Sequence, residues 1–120
     1  MDDTFSEIKR LDFENIVNVI FIIVSIINIY GNENQKKYLI YDNIKYEDDA
    51  NNLYVFGLIL LFLIYVYFFN RNYVMYNNKD NPTNTDLIKV IGSFLFIVGV
   101  ICLLYFQLNN QDNFIIGEPV

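Results

Sequence analysis

The chain has 120 residues, a formal net charge of −6, one cysteine, and no histidine or tryptophan. An acidic chain without clustered lysine and arginine is unsuited to nucleic acid. Without histidine, the commonest general base and metal ligand is also missing. The composition is 54% hydrophobic with mean hydropathy +0.28, which a soluble chain of this length could not bury, so it indicates a membrane protein.

Three apolar runs are long enough to cross a bilayer core about 30 Å thick as helices. We predict an all-α membrane protein whose crossings form an up-down-up bundle, one structural unit over 1–120, with crossings at 11–30, 53–69 and 87–106. The segments between and after them are polar, and we predict two loops and a tail at 31–52, 70–86 and 107–120. The lipid bilayer is therefore the first expected partner.

Local signals refine the ends of these helices. Thr4 to Glu7 match a capping box, which predicts a short N-terminal helix at the membrane surface. This helix either runs straight into the first crossing or bends near 12–14. Gly31 is the expected C-cap of the first crossing, and Thr85 is the expected N-cap of the third.

The distribution of basic residues predicts the threading, because positive loops stay in the cytoplasm. Five basic residues fall on the side of the N-terminus and three on the other: Lys9, Arg10, Arg71, Lys79 and Lys89 against Lys36, Lys37 and Lys45. The N-terminus is therefore expected inside and the C-terminus outside, in a plasma or viral membrane.

Polar residues recur along the first crossing with alternating spacings of four and three, which places them on one helical stripe with Phe21: Glu14, Asn18, Ser25 and Asn28. Polar groups avoid hydrocarbon, so this stripe is expected to face protein or water. One interpretation is hydrogen bonding between helices. The other is a polar path for an ion or proton.

The third crossing carries Gly92 and Gly99, seven residues apart, on a stripe with Phe96 and Leu103. Small residues let helix backbones approach closely. We therefore expect the polar stripe of the first helix to pack against this small-residue side of the third, within one chain or between chains.

A charge pair is expected near the cytoplasmic face. Glu14 and Lys89 lie at similar depth, because the first and third helices start on the same side. Arg71 leaves the second helix at that face and is the competing partner. The alternative is that all three charged groups extend separately to the headgroups.

No residue pattern indicates a catalytic, cofactor-binding or metal-binding site. A Ser–His pair is impossible without histidine, and no paired membrane carboxylates or metal motif can be assembled. The sequence predicts that the protein is not an enzyme and needs no cofactor.

The whole chain resembles small three-span membrane proteins of uncharacterised function from AT-rich genomes, clostridia-like bacteria or viruses among them. The segments that carry the resemblance are residues 10–14, 28–31, 67–73, 91–93 and 101–107. The resemblance implies only the three-span architecture.

Two kinds of function follow. The leading expectation is a non-catalytic subunit or accessory factor of a membrane assembly, whose partner is another membrane protein or a second copy. The alternative is a homo-oligomeric, holin-like pore or a small transport component.

Overall fold

The computed structural model describes residues 2–109, and all regular secondary structure in that range is α-helical. Three helices follow one another: α1 (Asp2–Tyr41), α2 (Ile44–Asn78) and α3 (Asn84–Asn109). By length and composition, each is long and apolar enough to cross a membrane. The prediction of an all-α chain with three long apolar helices is therefore confirmed.

The helices are longer than the apolar runs, and the predicted loops at 31–52 and 70–86 are largely wrong. With 40 and 35 residues, α1 and α2 are about 60 Å and about 52 Å long. Non-helical backbone between the helices is confined to 42–43 and 79–83. The polar segments between the apolar runs are therefore helical as well, because they pack against a neighbouring helix.

The predicted ends of the first helix fare differently. The N-terminal helix runs straight into the first crossing, which is the first of the two alternatives, although α1 is already helical at Asp2, before the predicted cap Thr4. The predicted C-cap is wrong. Gly31 lies inside α1 and does not end it. A single glycine costs a helix only about 1 kcal/mol relative to alanine, which packing readily offsets. Of the predicted tail, 107–109 belong to α3, and 110–120 lie outside the described residues.

The turn between α1 and α2 contains two residues with distinct roles. Asp42 has a φ of 56°, the left-handed conformation that commonly ends a helix. The side chain of Asn43 accepts a hydrogen bond from the backbone N–H of Lys45 at 3.0 Å and caps α2. The two helices are thereby folded back against each other.

A capping box begins α3, two residues before the predicted cap Thr85. Thr83 Oγ1 accepts from the backbone N–H of Asp86 at 3.2 Å, and Asp86 Oδ2 accepts from that of Thr83 at 2.9 Å. Lys79 Nζ also donates to the Asp86 carboxylate. These bonds hold the pKa of Asp86 at about 2, with the backbone N–H of Thr83 as the largest cause.

The helices form a layer with α2 in the centre. Glu14 of α1 contacts Arg71 near the end of α2, and Gln35 contacts Tyr54 near its start, so α1 and α2 are antiparallel. The Asn72–Ser93 and Asn51–Gln107 contacts show the same for α2 and α3. Within 2–109 the backbones of α1 and α3 do not approach each other. The extents of 60 × 26 × 16 Å reflect this flat arrangement.

The contact faces on the outer helices repeat every seven residues. Buried and half-buried positions of α1 alternate at spacings of three and four: Glu14, Val17, Phe21, Val24, Asn28, Gly31 and Gln35. The corresponding positions of α3 are Val90, Ser93, Ile97, Val100, Leu104 and Gln107. This is the spacing of helices that stay in contact over several turns. It continues through Gly31 to Gln35, which explains why α1 persists beyond its apolar run.

Replacing Gly31 by alanine is expected to lower the free energy of unfolding by about 1–3 kcal/mol. An added Cβ would lie 2.7 Å from Cε1 of Tyr54, whose ring is fully buried and cannot move aside easily. Thermal unfolding in mild detergent, followed by circular dichroism, measures the change.

The control is Gly92→Ala, where an added Cβ meets nothing within 4 Å. Alanine there is expected to raise stability by up to about 1 kcal/mol, through helix propensity alone. Equal effects at the two glycines would contradict the close contact between Gly31 and Tyr54.

Replacing Asp86 by asparagine is expected to lower the melting temperature at neutral pH, with the loss disappearing in acid. A carboxyl whose pKa falls from 3.8 to about 2 on folding stabilises the fold above pH 3.8. That contribution is lost as the pH falls towards 2. Melting curves of both proteins between pH 7 and pH 2 test this, with Asp80→Asn in the same turn as the control. A difference that stays constant down to pH 2 would contradict the assigned role.

Candidate functional site

Glu14 is the centre of a charge cluster between α1 and α2. Its Oε2 accepts hydrogen bonds from Arg71 Nη1 at 2.7 Å, Arg10 Nη1 at 3.0 Å and Tyr67 Oη at 3.2 Å. The Glu14 and Arg71 side chains are only 12% and 17% exposed. A carboxylate this shielded requires cationic partners, and the cluster provides them from both helices.

The cluster continues into α3 through amide and hydroxyl groups. Arg71 Nε and Nη2 donate to Asn72 Oδ1 at 3.1 and 2.8 Å. Asn72 Nδ2 donates to Ser93 Oγ, which in turn donates to the backbone carbonyl of Lys89. We call this connected set the Glu14 network; it contains Arg10, Glu14, Tyr67, Arg71, Asn72 and Ser93. It links all three helices near one end of the layer.

The Lys89 side chain is exposed and lies outside the Glu14 network, to which Lys89 contributes only its backbone carbonyl. Within 2–109, the ion-pair partners of Glu14 are Arg10 and Arg71. Lys89 instead lines a pocket beside the α2–α3 turn with Lys79 and Asp86. Depth in the membrane does not distinguish Lys89 from Arg71 as the partner of Glu14, because depth does not say which helices lie side by side. In the fold, α2 lies between α1 and α3 and places Arg71 next to Glu14.

Polar contacts also connect the helices towards the opposite end of the layer. Tyr54 Oη on α2 donates to Gln35 Oε1 on α1 at 3.0 Å, and it also contacts Asn32 Oδ1 on α1. Gln107 Nε2 donates to Asn51 Oδ1 at 2.7 Å, and Gln107 is 1% exposed. Gln107 Oε1 is buried without a hydrogen-bond partner among the described residues.

The sequence interpretation missed several of these polar residues. Asn51 and Asn72 lie 21 residues apart on α2, which is three seven-residue repeats, with Leu58 and Tyr65 at the positions between them. That spacing predicts one continuous line along a helix. The predicted loops at 31–52 and 70–86 place both asparagines outside the second crossing, which hides this spacing.

The polar stripe predicted on α1 contains both shielded and exposed residues in the structure. Glu14 is buried and Asn28 is half-buried, whereas Asn18 and Ser25 are exposed. Ser25 Oγ donates to the carbonyl of Phe21 in its own helix at 3.2 Å. The contact line runs through Val17 and Val24, one residue before Asn18 and Ser25. Asn18 and Ser25 therefore lie beside the contact line, on the outer surface of the layer.

The small-residue stripe of α3 does not contact α1 within the chain. A Cβ added at Gly92 or Gly99 would meet nothing within 4 Å, and Gly99 is exposed. The packing of the polar stripe against these glycines is thus not formed inside one chain. The reason is again that α2 separates the two outer helices.

An apolar groove runs over α2 between the two stripes. Its volume is about 280 Å³, and Asn28 on α1, Gly57, Leu61 and Tyr65 on α2, and Gly99 on α3 are among its lining residues. Asn28 Oδ1 lies 3.4 Å from where a Cβ of Gly57 would be. Asn28 is the amide of this otherwise apolar groove, and it forms no hydrogen bond within the described part of the chain.

Three aromatic rings cross the layer where this groove meets a second pocket. The rings of Phe21 and Tyr65 are 6.1 Å apart, and those of Tyr65 and Phe96 are stacked at 5.0 Å. Phe21 lines the second pocket, and Tyr65 and Phe96 line both. The two pockets are therefore adjacent and share the Tyr65 and Phe96 rings.

None of these features forms a recognisable reaction centre. Residues 2–109 contain no group of three or more histidine, cysteine, aspartate or glutamate side chains able to hold a metal ion. Cys102 is exposed on α3. The polar contacts described above join the helices to one another, and the groove is open at the surface of the layer.

Comparison with protein-family models, with curated proteins and with solved structures finds no match to this chain. The resemblance to small three-span membrane proteins therefore stays a prediction. Any function has to be inferred from the geometry described above.

Replacing Arg71 by alanine is expected to lower the free energy of unfolding by about 1–3 kcal/mol. The change leaves the shielded Glu14 carboxylate with Arg10 as its ionic partner and removes the donors to Asn72. Thermal unfolding in detergent measures the loss.

The matched control is Lys89→Ala, which removes an exposed cation at similar depth and should change stability by less than about 0.5 kcal/mol. The double variant Glu14→Gln with Arg71→Gln should recover part of the loss, because no unpaired charge remains. An effect of Lys89→Ala as large as that of Arg71→Ala would rule out the assigned pairing.

Proposed function

We propose that the chain is an integral membrane protein that acts as a non-catalytic helical subunit of a membrane assembly. The observation that carries this proposal is the exposure of large apolar side chains on all three helices. Ile22, Leu63 and Phe96 are 60%, 58% and 61% exposed. Exposed apolar surface of this extent marks a membrane or protein contact. Contact with lipid tails would cover it.

The placement of polar groups supports the same proposal. The Glu14 network and the Gln35–Tyr54 and Asn51–Gln107 contacts lie towards the two ends of the layer, with apolar packing between them. In hydrocarbon, buried polar groups must be satisfied by protein, and α-helices satisfy their own backbone. In the proposed threading, the helices pass up, down and up through the bilayer, with the N-terminus inside.

The lining and the volume of the groove favour a helix-binding subunit over a catalyst. The groove is lined mainly by apolar side chains, with two glycines, the Asn28 amide and the Tyr65 ring, and its volume is near the lower limit of small-molecule pockets, about 300 Å³. Such a surface suits another helix, because glycines permit close backbone approach and an amide can hydrogen-bond across the contact.

The alternative function, a homo-oligomeric pore or small transport component, is favoured by one observation. Asn18 and Ser25 are exposed within the first apolar run. If several copies surrounded a channel, this side of α1 could face water. Leakage of a small dye from proteoliposomes containing the purified chain would support the pore over the subunit.

Two leucine substitutions test the membrane location. Leu63 and Leu39 are exposed to similar extents, 58% and 63%, but only Leu63 lies in a predicted crossing. In water neither Leu63→Arg nor Leu39→Arg should matter much. In a bilayer, Leu63→Arg should cost about 2.5–3.5 kcal/mol, because the arginine would lie near its centre.

The fraction of chain that stays in the membrane pellet after an alkaline carbonate wash is the measurement. The wild type and Leu39→Arg should be retained, and Leu63→Arg should be retained less or degraded. Release of the wild type by carbonate, or equal behaviour of both variants, would refute membrane insertion. Labelling of a cysteine introduced in turn 79–83 from the cytoplasmic side alone would support the proposed orientation.

A further inference from the structure

We infer that the groove is the self-association site of this chain, occupied by α1 of a second copy in a parallel two-fold dimer. This inference rests on the proposed membrane location, because it depends on the cost of an unpaired amide in hydrocarbon. The first step is the state of Asn28. Its side chain is half-buried at the edge of the groove, and within 2–109 it has no hydrogen-bond partner.

An unpaired amide within an apolar span is costly, and it gains a partner most simply from another helix. An asparagine amide contains both a donor and an acceptor. Two copies of the same asparagine can therefore satisfy each other across a two-fold axis. A buried Asn–Asn contact of this kind also fixes the register of two parallel helices. This self-complementarity indicates a second copy of the chain as the occupant.

The flat layer permits such a dimer geometrically. The groove lies over α2, and α1 forms one of its two walls. Two copies can stack face to face around a two-fold axis that runs parallel to the helices, between α1 and α2. Each α1 then lies over α2 of the other copy. Both grooves are then filled in one closed, symmetric contact. The two α1 helices are parallel neighbours across the axis, so the Asn28 side chains meet at the same depth.

The other residues along the groove agree with this arrangement. Asn18 and Ser25 lie on the same side of α1 as Asn28 by helical spacing and are exposed. The symmetric contact would remove them from lipid as well. On the opposite wall, Gly99 is exposed with open space at its Cβ position, which allows the docked helix to approach. The two stripes that α2 separates within one chain thus meet the same docked helix.

Disulfide cross-linking in membranes tests the dimer. Cys102, the exposed native cysteine, is first replaced by alanine in the full chain. Ser25→Cys, which leaves Asn28 in place on the same side of α1, should then form a covalent dimer under mild oxidation. Ile23→Cys is the matched control, because Ile23 is 44% exposed and lies at nearly the same depth but on the other side of α1. Two differently tagged copies, expressed together, identify the product as a self-dimer.

A second variant tests the groove without disturbing the chain itself. Gly99→Leu fills the groove from the α3 wall, and apart from the nearby backbone of α3 itself nothing lies within 4 Å of the added Cβ. It should lower the cross-linked fraction of Ser25→Cys about five-fold or more, without lowering the melting temperature of the monomer. Val98→Leu, at an exposed position outside the groove lining, should leave cross-linking unchanged.

The outcomes separate the dimer from the proposed function. Strong cross-linking at Ser25 and weak cross-linking at Ile23, with a loss on Gly99→Leu, would support the dimer. No cross-linking at Ser25, equal cross-linking at both positions, or no effect of Gly99→Leu would overturn it. If the chain stays in carbonate-washed membranes in those cases, membrane insertion stands and only the dimer fails. If the wild type is washed out, the proposed function fails first.

Discussion

The hydrogen bonds and ion pairs around Glu14 are the constraint on which the arrangement of the three helices depends. Apolar contacts between helices tolerate sliding and rotation, whereas a shielded carboxylate must stay next to its cations. Glu14 fixes α1 against Arg71 of α2, and Asn72, the next residue, contacts Ser93 of α3. Adjacent residues of the central helix thereby set the position of both neighbours.

Contacts towards the other end of the layer complete this constraint. Tyr54 and Asn51, three residues apart on α2, contact Gln35 on α1 and Gln107 on α3. The central helix is thus tied to both neighbours at two widely separated levels, and the seven-residue spacing of the contact faces keeps the helices together between them. The short turns make consecutive helices neighbours, polar residues set the register of each pair, and apolar residues supply most of the surface.

The flat arrangement follows from these ties and leaves a groove open on the layer. Because α2 holds both outer helices, α1 and α3 do not close over it, and one face of α2 remains open as the groove. A closed bundle would have covered Asn28 and Gly99 inside the chain. In the open layer Gly99 is exposed and Asn28 is half-buried at the groove, and in the proposed dimer both would meet the docked helix.

The sequence by itself determined the class of fold, because run length and hydropathy are local properties: three long apolar helices were predicted and are present. It also singled out Glu14, Arg71, Asn28 and Gly99. Tertiary structure alone decided that 31–41 and 44–52 are helical, since those polar residues gain stability only from packing against each other. It decided that Arg71 and not Lys89 pairs with Glu14, and that the two stripes border one groove without touching. Depth and periodicity describe one helix at a time, whereas lateral neighbours are set by contacts between helices.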